Sequence, residues 1–116
     1  MTSFAALRTQ RHGLWLKELR LALEDVMESS LERPDQIDLF GSRARGDWDG
    51  LSDTDLLVVA ASHHEANVWV DRLLDAGLAE DVIGLDRESW AQLPTSQSVV
   101  WRNAANDAIP LLEDKP

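Results

Sequence analysis

The chain contains no cysteine and no tyrosine, and basic residues are scarce, 11 Lys and Arg against 21 Asp and Glu for a net charge of −10. Without cysteine there is neither disulfide nor thiolate chemistry, which suits a reducing compartment, so a cytoplasmic location is expected. The acidic field repels polyanions and makes nucleic acid a poor partner. A basic protein surface, or a neutral to cationic small molecule, fits better. No apolar run approaches the length of a membrane span. The N-terminus mixes Arg8, Arg11 and Lys17 among its apolar residues and lacks the apolar centre of a signal peptide. Internal repeats and low-complexity tracts are missing too. What remains is an ordinary globular balance of 28% charged and 44% hydrophobic residues over 116 positions. That length predicts one domain with a real core and no room for a separate substrate domain.

Patterning predicts alternating helices and strands. Residues 3–32 read as helix with a break at Gly13, since Trp15, Leu19, Ala22, Leu23 and Val26 recur at helical spacing before Pro34 enforces a stop. Strands are expected over 37–40, 54–61 and 80–85. A helical turn is expected at 43–46 and a loop at 47–52. Ser62 and Glu65 form a capping-box pattern, opening a helix that carries Ala66, Trp69, Leu73 and Ala76 on one face and stops at Gly77. A short helix over 86–93 is closed by Pro94, another covers 97–107, and an extended segment follows from Ile109. Pro110 confines that segment to a sheet edge or bars it from strand pairing. The class expected is α/β, one sheet covered by helices.

Chemistry concentrates in two short stretches. Gly41 and Ser42 follow the apolar strand 37–40, and a Gly-Ser turn brings backbone N–H groups and a hydroxyl close to a phosphate with no Cβ in the way. After ten intervening residues come Asp53 and Asp55, opening the apolar run 56–61. Two residues apart on a strand, both carboxylates leave the same face. They are hard oxygen ligands suited to Mg²⁺, which itself binds phosphate oxygens. The two elements together describe a site for a metal–nucleotide complex. Asp47 and Asp49 form a second such pair, but they lie between Gly46 and Gly50 with no apolar run behind them, a turn rather than a rigid ligand platform.

The order Gly-Ser, ten residues, then Asp-x-Asp leading into a strand resembles the signature of the DNA polymerase β-like nucleotidyltransferases. The wording Leu39-Phe40-Gly41-Ser42-Arg43-Ala44-Arg45-Gly46 is most similar to the minimal nucleotidyltransferase (MNT) branch. The resemblance is close over 38–59 and looser over 81–113. It implies a polymerase β-like palm with a small mixed sheet rather than a doubly wound one. The whole chain 1–116 would be one minimal domain, with a helical segment 1–33, a catalytic core 36–93 and a C-terminal helix and tail 96–116.

The resemblance also implies a third acid from a following strand. Asp81 matches that position at the head of Val82-Ile83-Gly84-Leu85, with Glu80 and Asp86 as competitors. Glu80 would point to the opposite face, and Asp86 reads as a helix cap. Asp53, Asp55 and Asp81 would then be catalytic and metal-binding for two Mg²⁺, with Asp81 as base, while Gly41 and Ser42 hold the phosphates of ATP. The implied reaction moves AMP to a hydroxyl of a partner, and minimal nucleotidyltransferases often act as antitoxins that adenylylate a HEPN-type ribonuclease toxin. Two other readings stay open. One is an antitoxin acting by occlusion, and the other is an aminoglycoside-type enzyme whose missing pocket an oligomer or partner would supply. Arg43 and Arg45 contact phosphate or partner, or are surface charge. Trp48 stacks on a base or meets a partner. His63 and His64 diverge by ~100° on a helix and read as surface residues rather than shared ligands.

Overall fold

The apolar run after Asp55 forms the central strand of a four-stranded mixed sheet in the computed structural model, which describes residues 4–28, 33–41 and 54–112. The elements run α1 (Phe4–Glu28), β1 (Gln36–Phe40), β2 (Asp55–Ala60), α2 (His63–Asp75), β3 (Asp81–Asp86), α3 (Arg87–Gln92), α4 (Val99–Asp107) and β4 (Ile109–Pro110). The strand order is β3-β2-β1-β4, with β2 parallel to β3 and the other pairs antiparallel. This is the small mixed sheet, not a doubly wound one, that the resemblance implies. Four of the six residues that follow Asp55 are β-branched or Leu, and five in a row from Leu56 to Ala60 are buried. A strand buried on both faces has no polar alternation, and this one has none.

Strand parity divides the core in two. Ile37, Leu39, Leu56 and Val58 face α1 and α2, where they pack with Leu19, Leu23, Met27, Trp69 and Leu73. Leu57 and Val59 face the other way, with Phe40, Leu85, Leu93 and the rings of Trp90 and Trp101. Both faces are therefore covered, and β4 closes the sheet as a two-residue edge. Pro110 sits on that edge opposite Asp38, where its missing N–H is no loss.

The helix starts follow their caps. The Ser62 hydroxyl accepts a hydrogen bond from the Glu65 N–H at 3.2 Å, and Asp86 accepts one from the Ser89 N–H at 2.7 Å. The stop at Gly77 holds as well, with φ +71. Other expectations shift. Gly13 does not interrupt α1, because it lies on the exposed side of the helix, where only propensity is lost. Ala76 is an exposed cap residue and not part of the apolar face. Pro94 does not end α3 outright: Leu93–Thr95 continues as a 3₁₀ turn with the proline in its first positions, where no donor is needed. The last helix begins two residues later than expected, at Val99, capped by Ser98. The turn expected at 43–46, the loop at 47–52, and the outer ends at 29–32 and 113 lie outside the described residues. No described helix is long and apolar enough to cross a membrane.

Candidate active site

The antiparallel register of β1 and β2 sets Phe40 opposite Asp55, so the residue after Phe40 arrives beside the first carboxylate of β2. That residue is Gly41, with φ +77 in the left-handed region. A Cβ placed on it would stand 2.7 Å from Asp55 Oδ2. Glycine is needed here twice, for the backbone angle and for the close approach. The turn thereby lays bare main chain against a half-buried carboxylate. Such an edge can present donors to a phosphate while the carboxylate holds a cation between them.

Asp81 opens β3 in direct register with Asp55, and parallel partners project to the same face. Neighbouring strands lie about 4.8 Å apart, so these two carboxylates are adjacent, Asp55 half-buried and Asp81 exposed. The two competing acids are engaged elsewhere. The Glu80 carboxylate accepts the Thr54 N–H at 2.6 Å, while Thr54 O accepts the N–H groups of Glu80 and Asp81 at 3.1 and 3.3 Å. This clamp fixes the backbone immediately before Asp55 to the backbone immediately before Asp81. The Asp86 carboxylate caps α3, and that hydrogen bond from Ser89 holds it below the usual carboxylate range.

Like charges side by side on one strand face repel unless a cation lies between them. Paired carboxylate oxygens at a solvent-facing strand end, next to a glycine that cannot be replaced without displacing one of them, fit a hard divalent ion. Among the described residues no group of three or more potential ligands is gathered around one point. The other carboxylate of the Asp-x-Asp pair, Asp53, lies outside the described residues, as do Ser42, Arg43, Arg45, Asp47, Trp48 and Asp49. His63 and His64 are exposed at the start of α2.

Two features of this face were not foreseen from the residues. The first is Asp38, 2% exposed, whose Oδ2 accepts from Gln36 Nε2 at 2.5 Å while Oδ1 has no hydrogen-bond partner among the described residues. Burial pushes its carboxyl above the usual range, and the Gln36 amide only partly offsets that. An acid between two apolar strand residues was the available signal. The second is a cavity of about 430 Å³ between α4 and the sheet, bordered by Gly41 itself. Trp101, Asn103 and Asp107 of α4 belong to it, and only their spacing on a short helix could have drawn attention to them.

Comparison with known proteins points the same way. The nucleotidyltransferase domain model matches residues 17–103, about three quarters of the chain. A crystal structure from Sulfolobus solfataricus, assigned to the nucleotidyltransferases and solved at 1.40 Å resolution, is similar at 26% identity and a TM-score of 0.53. The likeness covers 89% of this chain and 84% of that one. No curated protein matches the sequence. With the family model spanning α1 to α4, and so both in-register carboxylates and the glycine beside them, the chain belongs to the nucleotidyltransferase domain family.

Proposed function

We propose that this domain transfers AMP from ATP to a hydroxyl of a protein partner, in the manner of the minimal nucleotidyltransferases its core motif resembles. One observation carries the reading: Asp81 stands in register with Asp55, and Asp55 lies against Gly41. Phosphate-binding main chain and the two acids thus share one edge of one sheet. Gly41 and Ser42 hold the terminal phosphates. Asp53, Asp55 and Asp81 are the residues that would hold Mg²⁺, which when bound neutralises phosphate charge and polarises the α-phosphorus. Asp81, the more exposed carboxylate, takes the proton of the acceptor hydroxyl. The acceptor oxygen bonds to the α-phosphorus in line with the leaving group, the bond from that phosphorus to the bridging oxygen breaks, and pyrophosphate departs.

The partner favoured by the resemblance is a HEPN-type ribonuclease toxin, with this chain as its antitoxin in the cytoplasm. The net charge of −10 suits a basic protein surface better than nucleic acid. Lacking tyrosine altogether, the chain cannot modify itself on that residue. Incubation with labelled ATP, Mg²⁺ and the protein encoded by the neighbouring reading frame should place AMP on the neighbour, and Asp81→Ala should stop it. A neighbour that is inhibited stoichiometrically but stays unlabelled would establish neutralisation by occlusion instead. Label confined to this chain would remove the partner assignment.

A further inference from the structure

The outward side of α1 is apolar, and neither the sheet nor the reaction proposed above uses it. Leu7, Leu14 and Leu21 recur every seven residues and are 37%, 56% and 60% exposed, with Phe4 extending the stripe at 92%. At 100° per residue the three leucines lie ~160–180° from Leu23, the α1 residue sunk completely in the core. The helix therefore carries two apolar stripes, one buried against the sheet and one facing outward. Single exposed leucines need no explanation, but a repeat of seven is the spacing at which one helix meets another over several turns.

The start of the same helix lacks support. Among the described residues, the first apolar side chain of α1 to pack into the core is Trp15. Residues 4–14, about three turns, run ahead of it and include Gly13. A helical stretch that short is marginal in water by itself, and a glycine weakens it further. A surface packed along the outward stripe would supply the missing burial.

We propose that this surface is a second copy of the chain, its α1 laid antiparallel on the first and centred at Leu14. Charge selects it. From Met1 to Lys17 the chain has Arg8, Arg11 and Lys17 and no acid, whereas α1 from Glu18 onward has Glu18, Glu24, Asp25 and Glu28 against Arg20 alone. An antiparallel pair lays the basic half of each helix along the acidic half of the other. Arg11 and Glu18 flank Leu14, three and four residues from it, and both are exposed. Two-fold symmetry about Leu14 brings Arg11 of each copy beside Glu18 of the other, while Leu7 meets Leu21. A parallel pair would instead set Arg11 against Arg11 and Glu18 against Glu18, like charges that repel. A foreign partner would have to present the same charges in reverse order, which a second copy does by symmetry alone. Because the stripe faces away from its own core, the two bodies lie on the outer sides of the helix pair. Five turns of helix bury less than a standard interface of roughly 1,600 Å², so the dimer is a weak and reversible one.

Sedimentation equilibrium of the full chain from roughly 1 μM to 1 mM tests this. The mass should rise from monomer to dimer and go no further, as a closed two-fold pair requires. Leu14→Glu should weaken dimerisation at least ~100-fold, because two buried leucines are lost at once. Its circular-dichroism spectrum should match that of wild type where both are monomeric. Arg11→Glu and Glu18→Arg should each weaken the dimer roughly tenfold, since symmetry counts each change twice, and the two combined in one chain should restore it. Orientation is read by oxidation, which is clean in a chain without cysteine. Leu7→Cys mixed with Leu21→Cys should give a disulfide between the two proteins, and Leu7→Cys alone should give none. A mass that stays monomeric over the whole range overturns the proposal. So does a dimer that survives Leu14→Glu, which places the interface elsewhere. Cross-linking of Leu7→Cys to itself, or a double charge exchange that restores nothing, overturns the antiparallel pairing. If a monomeric wild type instead binds the protein of the neighbouring reading frame and Leu14→Glu abolishes that binding, the stripe belongs to that partner and not to a second copy.

Discussion

At the residue scale, Asp55 is the side chain on which most of the geometry converges. It faces Gly41, stands level with Asp81, and follows a residue whose backbone is clamped by Glu80. Asp55→Asn keeps the volume and removes the charge, so transfer should fall at least ~100-fold in single-turnover measurements, the scale of losing one preorganised charge. Asp47→Asn and Asp49→Asn should cost far less, and the reverse ranking would show that the other Asp-x-Asp pair holds the chemistry. Asp38 makes a different prediction. Its folded-state carboxyl is raised above its ordinary 3.8, so folding favours the protonated form. The contribution to stability is therefore greatest below the unfolded value and is lost as pH rises through the folded one. Asp35 has the opposite shift, lowered mainly by its hydrogen bond from Arg87 and so stabilising above the acid range, which makes the wild-type curve alone ambiguous. The difference between Asp38→Asn and wild type is clean. Urea titrations from pH 3.5 upward should show the variant gaining relative stability as pH rises. A difference that stays flat or changes sign would mean that Oδ1 has a partner after all.

At the element scale, β3 carries Asp81 at its head and leans on α2 through Gly84. A Cβ on Gly84 would lie 2.9 Å from Val70 Cγ2 and 3.2 Å from both the backbone carbon and the Cβ of Ala66. Backbone cannot step aside as a flexible side chain can. Gly84→Ala should then cost ~1–3 kcal/mol in urea unfolding, as overpacked cores do. An unchanged midpoint would mean that α2 is not seated that closely. The register at Asp81 is three residues away, so kcat should hold up better than stability. Gly84 also shows which parts of the fold the residues revealed. Caps were legible because Ser62, Asp86 and Gly77 act through their own backbone neighbours. Strand positions were legible because apolar runs mark them. Gly84 in the middle of Val-Ile-Gly-Leu gave no hint of its purpose, since the helix it admits lies across the sheet. The same holds for Glu80: the side chain that clamps Thr54 is 26 residues away in sequence, and only the β2–β3 register brings them together. Among the candidate site residues, Gly41 lies against Asp55 through the β1–β2 register. Asn103 and Asp107 reach the cavity through the β4 connection, a long-range pairing of two residues that no periodicity announces.

At the scale of the whole molecule, the candidate active edge is assembled from pieces distant in sequence. Gly41 comes from the end of β1, Asp55 from β2 and Asp81 from β3. Each lies at an element terminus, and among the described residues the sheet register and the Glu80–Thr54 clamp hold them together. A ligand that bridges them should stabilise the fold as a unit, because it binds only when all of them are in place. Carboxylates from two adjacent strands also make that binding depend on cation: without one, a polyphosphate meets Asp55 and Asp81 as like charges in a chain already at −10. ATP with Mg²⁺ at a hundred times its dissociation constant is worth about 2.7 kcal/mol. For a domain of this length, unfolding entropy near 2.1 cal/mol/K per residue converts that into a rise of roughly 10 °C in melting midpoint. ATP in EDTA should give almost none of it, and Asp55→Asn should abolish the shift with Mg²⁺ present while leaving the unliganded midpoint close to wild type. If EDTA leaves the shift intact, the nucleotide is held by contacts outside the carboxylate pair, and Asp55 and Asp81 lose their role as metal ligands.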